Sequence, residues 1–141
     1  MSISIFVSAI LAAHNTYNYL RDSGIAEDWK AISVAKGGDF MDCEIFAKGA
    51  AMKTELKGVF VVYGQAPTLE ARDNSSTGFH AWLHYCPSFP SITQFVCGDP
   101  ISGKYRINNL LDKYVPEESV LYDPDTGLLD LSTKVVFEKS S

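Results

Sequence analysis

The chain has 141 residues, 46% of them hydrophobic and 21% charged, with a net charge of −5. This is the composition of an ordinary globular protein, long enough for one domain over residues 1–141 to bury a core without disulfides or a metal. The acidic balance and the lack of any two adjacent basic residues argue against a broad nucleic-acid or anionic-membrane surface.

The run from Ser2 to Ala13 is apolar, but no Lys or Arg precedes it, and it is shorter than the about 20 residues that span a bilayer. Ile5, Phe6, Ala9, Ile10, Ala13, Tyr17 and Leu20 recur at helical spacing, so residues 5–21 are predicted to form a buried helix that stops near Ser23-Gly24. A second, shorter helix is expected over 25–35, broken by Lys36-Gly37-Gly38-Asp39. From Asp42 to Leu56 the pattern is again helical, with Ala47, Ala50, Ala51 and Met52 favouring helix and Asp39 or Asp42 able to cap its start. Val59–Tyr63 reads as a central strand and 64–77 as a loop. Phe79–Tyr85 and Ile92–Cys97 read as strands joined by a turn at Pro87–Pro90. Residues 104–114 are predicted helical, 117–127 irregular and Thr133–Phe137 a last strand. The expected class is α+β, with N-terminal helices packed on an antiparallel sheet.

Cysteines stand at 43, 86 and 97, an odd number that does not read as a secreted disulfide framework and predicts a reducing, cytoplasmic setting. A cysteine nucleophile needs a lowered pKa, a base within reach and a third group that orients the base. Cys43 falls at a predicted helix start, where unpaired N–H groups and the helix dipole favour a thiolate. Gly38, in the preceding loop, leaves room for a substrate backbone. Asp42 and Glu44 oppose a thiolate and must direct their charge elsewhere. Along the predicted strand His80, Trp82, His84 and Cys86 share one face. In a hairpin that sets Cys86 opposite Thr93, His80 falls opposite Asp99, whose carboxylate can hold the imidazole.

A cysteine opening a helix, then a strand, then Gly78-Phe79-His80-Ala81-Trp82, then Cys97-Gly98-Asp99-Pro100 resembles the transglutaminase-like branch of the papain-like thiol enzymes. The resemblance covers about Gly38 to Ser102, with the three positions separated by 37 (43 to 80) and 19 (80 to 99) residues. It implies a papain-like core, a Cys43–His80–Asp99 triad, no cofactor, and a protein or peptide substrate bordered by Trp82, Asp42 and Gly38. The implied reaction is amide cleavage (peptidase, amidase or glutamine deamidase) or acyl transfer through a thioester. Two positions depart from the family pattern. Glu44 follows the cysteine, and no Gln or Asn lies shortly before it, which leaves backbone N–H groups, including that of Cys43, as oxyanion donors.

Other readings compete. The same fold can serve as a binding, effector or inhibitor module without turnover, with Cys43 a small buried hydrophobe. His80, His84, Cys86 and Cys97 make a zinc-type donor set, but residues two and four apart along a strand spread over roughly 7–14 Å, too far for one tetrahedral ion. No phosphate-binding glycine loop or calcium-loop spacing is present.

Overall fold

The computed structural model describes residues 2–22, 42–67 and 77–137. The predicted helix over 25–35 and the Gly37-Gly38 break lie outside them. Two helices, α1 (Ser2–Asp22) and α2 (Asp42–Thr54), accompany six strands: β1 (Val59–Pro67), β2 (Thr77–Tyr85), β3 (Val96–Gly98), β4 (Tyr105–Ile107), β5 (Val115–Asp123) and β6 (Leu128–Val136). The strands form one antiparallel sheet in the order β4-β3-β2-β1-β5-β6. The class is α+β, as the order of elements implied.

The period-2 alternation of β1 and β2 assigns the two sheet faces. Val59 and Val61 with Ala81, Leu83 and Tyr85 turn toward the helices, where Phe6, Ile10 and Ala13 of α1 and Cys43, Ala47, Ala50 and Ala51 of α2 meet them. Burial of a side chain such as Phe6 or Ile10 contributes about 1.5–3 kcal/mol. The alanine-rich stripe lets α2 lie close to the strands. Val62, Trp82 and Cys97 turn the other way and pack with Leu111 and Tyr114. Gly98 is the contact on which α1 rests: a Cβ there would stand 2.7 Å from Ile10 Cγ1 and 3.0 Å from Phe6 Cε2.

Several expectations change. The β2–β3 register pairs Leu83 with Gly98, His84 with Cys97 and Tyr85 with Val96, two residues removed from the hairpin predicted. An even slip preserves the faces, so Asp99 stays on the side of His80 and becomes its diagonal rather than its direct neighbour. β3 is shorter than predicted, with Ile92 exposed ahead of it. No helix forms over 104–114. Gly103, Asn108 and Lys113 take positive φ values of 73°, 56° and 67°, which interrupt any right-handed helix, and the chain runs as β4 and turns. Residues 115–123 form β5, and Gly127 at φ 71° closes the turn into β6. β6 begins five residues before the predicted strand (128 against 133). It is an edge strand with nearly all residues exposed, so it has no apolar alternation to read. β1 extends to Pro67 and α2 ends at Thr54.

Candidate functional site

Cys43 is the second residue of α2 and is 5% exposed. Its position follows from a gap in the sheet. β3 pairs only with Leu83–Tyr85, so the first part of β2 lacks a β3 neighbour. The Ala81 N–H donates there to Cys43 Sγ at 3.3 Å, and the start of α2 closes the edge that β3 leaves open.

His80 precedes Ala81 on the strand. Its Nε2–H donates to Asp99 Oδ2 at 2.8 Å, since a carboxylate can only accept. Asp99 is 1% exposed. Tyr114 Oη–H donates to the same Oδ2, and the Ile101 N–H donates to Oδ1 at 2.9 Å. Both carboxylate oxygens are therefore engaged. Burial pushes Asp99 up, but the His80 hydrogen bond and charge, with Tyr114 and the Ile101 N–H, outweigh it and hold the carboxyl below its ordinary range. Burial pushes His80 down, but hydrogen bonding to Asp99 and Cys43 and their charges raise it to about 10. With Nε2 committed to Asp99, the remaining ring nitrogen, Nδ1, is the one left for the sulfur.

Aromatic rings fix the plane of the imidazole. Trp82 lies near parallel to it at a centroid distance of 6.2 Å, and Tyr114 meets it edge-on at 6.1 Å. Trp82 and Tyr114 are perpendicular at 5.1 Å. At 1% exposure Trp82 offers no surface to a substrate. It stands as a wall behind His80.

Glu44 accepts from Tyr63 Oη at 3.2 Å and pairs with Lys48 at 2.9 Å. Its charge is thereby occupied by partners other than the thiol. Burial first, then the charge of Glu44 and its hydrogen bond, raise the Tyr63 phenol well above its usual value. Asp42 opens α2, but its side chain, like the whole of Gly38, lies outside the described residues.

The other thiols differ from Cys43 in setting. All three cysteines are free and buried. Burial pushes Cys86 up, and burial pushes Cys97 up to about 12. His84 is lowered to about 4 by burial, and its Nε2 accepts from Trp82 Nε1 at 3.1 Å. The ring nitrogens Nε2 of His80 and His84 thus have partners other than a metal. No group of three or more His, Cys, Asp or Glu among the described residues is arranged to hold an ion. No helix among the described residues is long and apolar enough to cross a membrane.

Tyr114 escaped the sequence reading. It lies at the end of the 104–114 segment, where the expected helix does not form, and a lone tyrosine after a turn carries no periodic signal. Its hydroxyl also bonds Ser102 Oγ at 3.1 Å, which ties the 111–114 turn to the Asp99 segment. Tyr114→Phe should lower stability by about 1.5–3 kcal/mol, as expected for a bond to a charged group, measured by urea unfolding at neutral pH. An unchanged midpoint would mean that the hydroxyl does not support Asp99.

Compared with known proteins, the chain matches no family model, no curated protein and no solved structure.

Proposed function

We propose that Cys43, His80 and Asp99 are the nucleophile, the acid–base group and the orienting carboxylate of an amide-cleaving thiol enzyme with a transglutaminase-like, papain-like core. One observation carries the reading: an imidazole bonded through Nε2 to a buried carboxylate, on a strand whose next N–H meets a cysteine sulfur at a helix start. Raised to about 10, the ring holds a proton at neutral pH that it can give to a leaving amine.

The sulfur attacks the amide carbonyl carbon, and the carbonyl π electrons move to oxygen. Collapse of the adduct breaks the C–N bond. His80 gives its proton to the departing amine and leaves a thioester on Cys43. Water then adds to the thioester while His80 takes a proton from it. Expulsion of the sulfur releases the carboxylic acid and restores the starting site. With an amine in place of water the same sequence gives acyl transfer. Asp99 stays ionised and keeps the ring in register. Backbone N–H groups at the start of α2 are the oxyanion donors of this reading.

The low exposure of Cys43 favours a second reading, a binding module that keeps the fold without turnover. Thiol labelling separates the two. Iodoacetamide at neutral pH, read by peptide mapping, should reach Cys43 before Cys86 and Cys97. Equal and slow labelling of all three would remove the case for an activated thiol.

A further inference from the structure

A second feature lies on the sheet face that the helices do not cover. A cavity of about 330 Å³ is lined there by Phe60, His84, Phe95, Leu110, Ser119 and Val135, among others. It sits beyond Trp82, four strand residues from His80, or about 13 Å along β2. Its wall is almost wholly carbon, yet it holds two deeply buried polar side chains, His84 at 9% and Ser119 at 5% exposure.

The polarity of these groups is fixed by their surroundings. An indole nitrogen can only donate, so the Trp82 bond makes His84 Nε2 an acceptor. The neutral ring therefore carries its hydrogen on Nδ1. Among the described residues neither this N–H nor the Ser119 hydroxyl has a hydrogen-bond partner. Buried donors without acceptors are rare in folded proteins, and two in one cavity point to a ligand. Phe60 pairs with His84 and Val62 with Ser119, so the two donors flank β1, on strands about 10 Å apart. None of the lining residues is cationic, so a carboxylate has no counter-charge to meet.

We propose that this cavity binds an uncharged, chain-like small molecule whose carbonyl oxygen accepts from His84 Nδ1 and whose second oxygen meets the Ser119 hydroxyl. A 150 Å³ cavity takes one benzene ring, so this volume takes roughly a dozen non-hydrogen atoms. The site is separate from the thiol chemistry, and it stands whether or not Cys43 turns over a substrate.

The test titrates the intact protein with methyl nonyl ketone, its ω-hydroxy analogue, undecane and decanoate, read by amide and imidazole NMR shifts. The hydroxyketone should bind tightest, the ketone next and the hydrocarbon weakest, with each oxygen worth about 3- to 10-fold in affinity. Decanoate should not bind. His84→Phe should erase the gain from the carbonyl, and Ser119→Ala the gain from the hydroxyl. Val135→Trp, at a half-exposed edge position directly across from Ser119, should fill the cavity and abolish binding of all the chain-like probes. Failure of the ketones to give saturable shifts at cavity residues would overturn the proposal. So would ketone binding no tighter than that of undecane in the unsubstituted protein, or ketone binding that survives Val135→Trp. The last two readouts do not depend on the folding of the His84 variant.

Discussion

Cys43→Ala is expected to lower turnover of a peptide-amide panel by about 10⁴-fold or more, to the level left by binding alone. His80→Asn should lose nearly as much, and the double variant little beyond either, because nucleophile and base act as one unit. The physical basis is division of labour. Without the sulfur no thioester forms, and without the ring neither the departing amine nor the attacking water exchanges its proton. The structural cost of Cys43→Ala is small by comparison. It removes one acceptor, that of the Ala81 N–H at 3.3 Å, worth about 1 kcal/mol. Activity and stability should therefore part company, as read by progress curves beside urea melts of the same samples. Equal turnover in the alanine variant would end the thiol mechanism and leave the binding module. In the labelling experiment His80→Asn should also slow alkylation of Cys43, since it removes the positive ring charge.

Asp99 carries the second large effect, on stability as well as on rate. Asp99→Ala leaves the His80 N–H, the Tyr114 hydroxyl and the Ile101 N–H without their acceptor in a place with almost no access to water. Removing one partner of a buried pair costs about 3–5 kcal/mol. Asp99→Asn keeps the shape and removes the charge, so it separates packing from electrostatics. The pH dependence follows from the directions of the two shifts. Asp99 is depressed, so its contribution is present above its ordinary value of 3.8 and is lost as pH falls through its folded value. His80 is raised from 6.5 to about 10, so its contribution is complete below 6.5 and fades as pH climbs toward 10. Both describe one interaction seen from two sides. The stability difference between the native protein and Asp99→Asn should thus be largest between about pH 4 and 6.5 and shrink on either side. Urea midpoints across pH 3–10 measure it. A difference that stays flat over that range would mean that the pair does not titrate with folding.

The candidate site was legible where it rests on local periodicity. Cys43 at a helix start is an inference from the alanine-rich run behind it. The common face of His80, Trp82 and His84 is an inference from the pleat alone. The hairpin register was not legible, because Pro87–Pro90 fixes a turn without fixing how many residues beyond it remain unpaired. Residues 91–95 stay out of the ladder, and the pairing slips by two. The slip was harmless because it was even: a shift of one would have sent Asp99 toward α1 and away from the imidazole.

Sequence by itself determined the α+β class, the helical and strand character of residues 5–21, 42–54, 59–63 and 79–85, and the order in which thiol, imidazole and carboxylate arise along the chain. These depend on nearest-neighbour sterics and on periods of 3.6 and 2.0, which are properties of a local segment. Tertiary structure alone decided that Tyr114 and the Ile101 N–H complete the carboxylate's shell and that His84 and Ser119 share a cavity. Such contacts join positions far apart in sequence through turns at Asn108 and Lys113. Their left-handed backbone was not read from residue type, and the partners of a buried polar group are set by whatever the folded chain brings beside it.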